Sequence, residues 1–251
     1  MIITINTLKE RIRRKELYII IIIGIVLLLL LGSGNASMSI NGVAITDFSN
    51  VFIILHITVN AVTCLLAMII SLKTIPNEYS RKTSHLIWVR DISQVRYHAE
   101  LVFANFLSSV IAGLILYVAL GIYIIVNGRV DSLIKLFPAF LILCVNIVFA
   151  SVLTSVLSIK LPTSLLGLIM TIIIFLGLFH NVLGIYANLA AGISGKLVSI
   201  LLTIIPNLNG VQNQVANMIA SKSIDSHEVL KMLLASYIAS IGLIVFRKEE
   251  A

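Results

Sequence analysis

The residues best placed to do chemistry in this chain are polar side chains set inside long apolar runs. His56, Asn60 and Thr63 recur at steps of four and three, and Ala67 and Ser71 continue the row. On a helix this spacing builds one face of polar and small groups. Asn146, Ala150, Thr154 and Ser158 form a second row, with Ser151 and Ser155 beside it. In a bilayer such a face turns away from the lipid tails, towards other helices or a water path. The spacing fits helix packing through small residues and interhelical hydrogen bonds first, and after it a polar lining or gate for a molecule that crosses. His56, Asn60, Thr63, Asn146 and Thr154 are the candidates for such a translocation path.

Patterns for covalent chemistry are weaker. Gly192-Ile193-Ser194-Gly195-Lys196 superficially resembles a phosphate loop. It lacks the first glycine at the required spacing, and Leu197 stands where Ser or Thr would meet magnesium. Ser194 lacks the G-x-S-x-G surroundings of a serine hydrolase nucleophile. The histidines at 56, 85, 98, 180 and 227 form no H-E-x-x-H motif and no i, i+4 pair. Cys64 and Cys144 both lie in apolar runs, at no metal-like or redox-like spacing. No catalytic residue, metal site or cofactor of the chain's own is expected.

The elements that must hold these residues are membrane helices. Only 12% of the 251 residues are charged and 59% are hydrophobic, against about a quarter charged in soluble domains. A span needs roughly 20 apolar residues, and six stretches qualify: Leu17–Leu31, extendable to Ala36, then Val51–Leu72, Leu101–Val126, Leu136–Leu157, Ser164–Tyr186 and Val229–Phe246. Pro138 and Pro162 fall near the ends of the fourth and fifth, where a helix tolerates proline best. The expected fold is an all-α integral membrane protein, a single six-span domain over residues 1–251.

Three segments fall outside the spans. Residues 1–16 place Ile5, Leu8 and Ile12 on one helical face, ringed by Lys9, Arg11, Arg13, Arg14 and Lys15. That pattern predicts an amphipathic surface helix. A basic lead before an apolar run also fits a signal peptide, but the long helical lead favours a retained first span. Residues 73–100 are the only long charged segment between two spans. Residues 187–228 hold a nine-residue apolar run, Leu197–Ile205, too short to cross, broken by Pro206, Asn207, Asn209 and Gly210. Val211, Val215, Met218 and Ile219 then repeat at helical spacing, so two short outer-side helices are expected there, packed on spans or on a second copy.

With the N-terminus inside, thirteen of the 18 Lys and Arg fall on inner segments and five on outer ones. The positive-inside bias therefore puts both termini and the 73–100 segment in the cytoplasm. The formal charge of +7 is read as topogenic rather than as a nucleic-acid footprint. Plasma membrane is the expected location.

The 73–100 segment carries a further pattern. Glu78 to Arg81, Thr83, Leu86-Ile87-Trp88-Val89-Arg90-Asp91-Ile92-Ser93 and Arg96-Tyr97 resemble the cytoplasmic loop of ABC-2 type permeases. These are the membrane subunits of the exporter class that includes the ABCG-like and polysaccharide transporters. Their loop reads loosely as an acidic residue, a basic pair with Thr, an apolar turn, Arg-Pro-Ile-Ser, then a basic residue and Tyr. Here Asp91 replaces the proline, and Glu100 stands where Lys is usual. The layout of basic lead helix, six spans and outer helices before the sixth is similar too.

The resemblance implies a coupling loop built on Glu78, Arg81, Thr83, Arg90, Asp91, Ile92, Ser93 and Arg96, with a short helix near Asp91 to His98. It further implies a dimer with a second permease subunit, identical or paralogous, and separate cytoplasmic ATPases that would bind the ATP and magnesium. Its cargo would be hydrophobic or amphipathic: a peptide, a drug or a lipid. An ion-coupled carrier is the chief rival, although every Asp and Glu lies outside the span cores and no two halves look alike. An intramembrane enzyme would need paired nucleophile and base or paired carboxylates within the spans, and none is visible. A plain membrane anchor or assembly subunit also fits the composition.

Overall fold

The computed structural model describes residues 2–13, 18, 21–22, 25–26, 29, 39–40, 43–44, 48–81, 92–128, 130–190, 192–219 and 223–246. Apart from an antiparallel pair of two-residue strands, β1 (Ser39–Ile40) and β2 (Val43–Ala44), the elements are helical. They are α1 (Ile2–Arg13), α2 (Phe48–Leu72), α3 (Thr74–Ser80), α4 (Gln94–Val126), α5 (Leu133–Leu157), α6 (Thr163–Leu178), α7 (His180–Leu189), α8 (Ile193–Ile204), α9 (Leu208–Ile219) and α10 (Ser226–Val245). Among the described residues, four helical stretches are long and apolar enough to cross a membrane: Val51–Ser80, Gln94–Val126, Val130–Leu157 and Ser226–Val245. The first expected span, Leu17–Leu31, lies mostly outside the described residues; of those within them, Ile21 and Ile25 pack on the core and Ile22 and Leu29 are exposed.

The bundle is organised around α5, which packs against α10, α2, α4 and α9. Its inner face buries Ala139, Leu143, Ile147 and Ala150 against Phe52, Leu55 and Val59 of α2 and Leu116 and Leu120 of α4. Lipid tails give no hydrophobic drive between spans, so close fit decides which helices pair. Gly242 of α10 illustrates the fit: a β-carbon there would stand 2.5 Å from Val156 Cγ1 of α5. The outer faces are apolar. Leu230, Leu234, Tyr237 and Ile244 of α10 and Leu168 and Phe175 of α6 are all more than half exposed. So much contiguous apolar surface belongs in lipid rather than in water.

Two boundaries differ from the sequence expectation, each for a local reason. α4 begins at Gln94, not at Leu101, because Ser93 caps it by accepting a hydrogen bond from the Arg96 backbone N–H at 3.4 Å. Residues 94–98, expected in a short separate helix of the loop, are thus the opening turns of a long span; Asp91 lies outside the described residues. The stretch expected as a fifth span is not one continuous helix: α6 and α7 meet at Phe179 with a bend of 71°. At 16 residues, α6 reaches only about 24 Å, short of a ~30 Å hydrocarbon core.

The 187–228 segment contains two short helices, as expected. α8 and α9 meet at a 74° bend, where Pro206 has no N–H to continue the ladder. The apolar row of α1 faces outward, with Ile5 51% and Ile12 45% exposed. Its other side, with Thr4 buried, packs along α4.

Candidate functional site

Two polar clusters stand out, one at the charged end of the bundle and one near its middle. The first ties the 73–100 segment to the spans. α3 follows directly on α2, and its side chains reach the opening turns of α4. Tyr97 Oη donates to Glu78 Oε2 at 2.8 Å. Tyr79 Oη stands 2.9 Å from His98 Nε2 and accepts from Gln94 Nε2 at 2.7 Å. Ile75, Tyr97 and Leu101 are fully buried beneath these bonds, and Ile92 packs on them. The phenol rings supply both the apolar body and the polar tip that such a junction needs.

α1 is fastened to the same junction. Its Ile3 N–H donates to Glu100 Oε2 at 3.2 Å, and Thr4 Oγ1 donates to the Glu100 carbonyl at 3.2 Å. Arg11 donates to the Ile70 carbonyl at 3.0 Å and to Thr74 Oγ1 and Asn105 Oδ1. Asn105 in turn donates to Ser155 Oγ at 2.8 Å. One guanidinium therefore joins α1 to α2, α3 and α4, and Asn105 extends the chain of bonds to α5.

Of the expected coupling-loop residues, Glu78 and Ile92 are in this junction and Ser93 caps α4. Arg81 lies 3.1 Å from Glu10 with both side chains about half exposed, a pair of small energetic weight. Arg96 is 70% exposed and 3.7 Å from Glu100. Thr83, Arg90 and Asp91 lie outside the described residues.

The second cluster brings together the candidates from the two polar rows. His56, Asn60, Thr63, Asn146 and Thr154 are all fully buried. Asn146 Nδ2 donates to Asn60 Oδ1 and to the Leu208 carbonyl, each at 3.1 Å. One turn nearer the start of α2, His56 Nδ1 is 2.8 Å from Gln212 Nε2, and its Nε2 meets Tyr117 Oη. Thr63 and Thr154 donate to their own helices, at the Val59 and Ala150 carbonyls. The polar face of α2 thus points at α4, α5 and α9, where His56 and Asn60 make bonds between helices.

The reason for the cluster is the broken helices. Lys135 Nζ donates to the Ile219 carbonyl at 2.7 Å, and Asn146 meets Leu208. Eleven residues separate the partners on each helix, about 16 Å of rise. α9 therefore runs antiparallel to α5 in matched register, from the middle of α5 back to its start. Backbone ends at that depth must be satisfied by protein. Asn209 Nδ2 donates to the Leu178 carbonyl at the end of α6 at 2.8 Å, His180 Nε2 lies 3.1 Å from the Leu202 carbonyl, and Asn207 Oδ1 accepts from the Gly210 N–H at 2.7 Å. Gly177 lets the turn approach: a β-carbon there would be 2.9 Å from the Pro206 carbonyl and from Leu208.

Asn105, Tyr117 and Gln212 are not singled out by the sequence, and Arg11 and Tyr79 stand out there only within the basic ring of 1–16 and the 78–81 stretch. Asn105 had a usable signal, an amide within an apolar run. Gln212 had none, because its partner lies 156 residues away.

A cavity of about 450 Å³ opens beside this region, lined by His180, Leu202, Pro206, Asn207, Glu228 and Met232. Glu228 there accepts from Lys231 at 2.9 Å and Asn207 at 3.3 Å. Among the described residues, no three His, Cys, Asp or Glu side chains come together as a metal site. No protein-family model matches the chain, and no curated protein matches it.

Proposed function

We propose that the chain is the membrane-spanning permease subunit of an ATP-driven ABC exporter, a six-span domain of the plasma membrane with both termini cytoplasmic. It works with separate ATPase subunits and a second permease subunit, and its cargo is hydrophobic or amphipathic. The observation that carries this reading is the junction at the charged end. The Glu78–Tyr97 and Tyr79–Gln94–His98 bonds fasten α3 to α4, and Arg11 fastens α1 to both. A push on the 73–100 segment would displace the ends of α2 and α4 together instead of bending a loose connection. A solvated loop that only sets topology has no need of such fastening. The outward apolar row of α1 agrees with a helix lying on the bilayer surface.

The test is co-purification from the native host in mild detergent. The expected result is a stoichiometric ATPase that is lost from the Arg90→Glu, Arg96→Glu double variant while membrane insertion persists. A chain that purifies alone, and shows no ATP dependence in reconstituted vesicles, would remove the exporter reading.

A further inference from the structure

We infer that the cavity between α8 and α10 is a binding site for an aliphatic ammonium ion, with Glu228 as its anchor and Lys231 as an internal stand-in for the ligand. The inference concerns binding at this cavity and is independent of any ATPase partnership. In the sequence Glu228 precedes the last apolar run and reads as a surface charge. In the fold it lies deeper. Its carboxylate accepts from Asn207, immediately before α9, and the next residue, Leu208, is bonded to Asn146 in the middle of α5. From the other end, Gly242 of α10 meets Val156 of α5. Fourteen residues separate Glu228 from Gly242 and ten separate Asn146 from Val156, about 21 and 15 Å of rise. Glu228 is therefore close to the level of Asn146, well inside the Leu133 end of α5. An ionisable side chain at such depth is costly to keep and marks a site or path for a polar or charged molecule.

The cavity gives this carboxylate something to face. Its volume of about 450 Å³ suits an ammonium head with the first part of its chain. Asn207, Glu228 and Lys231 make a polar wall, and Leu202, Ile205 and Met232 an apolar one. Glu228 is fixed. Asn207 Nδ2 donates to its Oε2 at 3.3 Å, and a β-carbon at Gly210 would stand 2.8 Å from the same oxygen, so the start of α9 closes round it. A carboxylate can accept about four hydrogen bonds, which leaves capacity on the cavity side.

Lys231 shows what the carboxylate takes. Its Nζ stands 2.9 Å from Glu228 Oε1, so the position of an ammonium on this oxygen is already marked. Lys231 is the less tightly held partner, with its side chain 57% exposed against 22% for Glu228. Its long stem lets the charge turn outward. A ligand ammonium can then take its place on Glu228 while the ligand's chain covers the apolar wall, a burial that Lys231 itself does not supply. The fixed carboxylate repels an anion, and a single carboxylate offers too few oxygens for a hard divalent cation. The ammonium can be carried by a membrane lipid headgroup or by a free amphiphile.

Titration with dansylcadaverine, a primary alkylammonium carrying an environment-sensitive dye, tests this on the purified chain in neutral maltoside micelles. The parent is expected to bind it saturably. Glu228→Gln should weaken binding about tenfold or more, the loss of one charge-assisted bond. Lys231→Gln should tighten it about twofold, because the internal competitor is gone. Ala235→Phe fills the cavity from α10 without touching either charge and should abolish binding; it carries the test if Glu228→Gln does not fold. Affinity equal to the parent's in Glu228→Gln or in Ala235→Phe overturns the site. Weaker binding by Lys231→Gln overturns it too, since the ion pair would then support the wall instead of filling the ligand's place. The source is read in phosphatidylcholine nanodiscs. Displacement of the dye by added phosphatidylethanolamine assigns the ammonium to a lipid headgroup, displacement by dodecylammonium alone assigns it to a free amphiphile, and displacement by neither overturns the inference.

Discussion

Asn146 spends both of its amide hydrogens on partners from different helices, Asn60 Oδ1 and the Leu208 carbonyl. A side chain so used resists substitution for reasons that have nothing to do with passage of a cargo. Asn60→Leu removes one acceptor from that pair, and also removes the unpaired Asn60 Nδ2, so its two effects oppose each other. Its net cost should be small, about 1 kcal/mol or less. Asn146→Ala loses both bonds and leaves a space, and should cost about 2 kcal/mol or more. Thermal unfolding in detergent would rank the two. Equal melting temperatures would contradict the network, whereas a larger effect of Asn60→Leu on transport than on stability would return the path role to these residues. Arg11 is the comparable residue at the charged end. Arg11→Ala removes charge-assisted bonds worth about 1.5–3 kcal/mol and leaves Asn105 and Thr74 to each other. Limited proteolysis should then cut within α1 first, and an α1 as resistant as in the parent would argue against the fastening.

At the scale of elements, the decisive feature is that α6 stops short and α9 lies beside the first half of α5. Gly177 permits this by its lack of a side chain, so Gly177→Val should force Pro206 and Leu208 away and release the start of α9. The expected signature is a melting temperature in detergent lowered by several degrees; an unchanged one would mean the turn can shift at no cost. The sequence carried much of this arrangement. Long apolar runs gave α2, α5, α10 and the end of α4 within a few residues, because bilayer thickness leaves little freedom in length. The two short helices at 193–219 were legible from the break at Pro206 and the period after it. The bend at Phe179 was not, because no Pro interrupts 164–186 and the break is stabilised from outside, by Asn209 on the Leu178 carbonyl. The early start of α4 was hidden as well, since Gln94 to Glu100 is polar and only the Ser93 cap marks it as helix. The polar rows were visible as faces, yet their partners Tyr117 and Gln212 were not, because a single helix pattern does not say what packs against it.

Taken as a whole molecule, the chain has a fastened end and a hydrogen-bonded interior, joined by α2, α4 and α5. Ser71 Oγ lies 3.1 Å from Ser151 Oγ, and Asn105 reaches Ser155, so the three helices are also bonded to one another between the two clusters. A displacement at the 73–100 segment would therefore reach the depth of Asn60 and Asn146 through packed helices and not through a flexible link. Docking and coupling become separable on this view. Arg90 and Arg96 would meet the ATPase, while Tyr79 and Tyr97 would pass its motion on. The Tyr79→Phe, Tyr97→Phe double variant keeps the buried rings and removes only the hydroxyls that bond Glu78, Gln94 and His98. It should retain the ATPase in a pull-down, yet lose about fivefold or more in ATP-driven transport by reconstituted vesicles, since each lost bond shifts the coupled equilibrium by about 1 kcal/mol. Transport at the parent rate would show that these hydroxyls do not carry the motion, and loss of the ATPase itself would place both tyrosines in the docking surface instead.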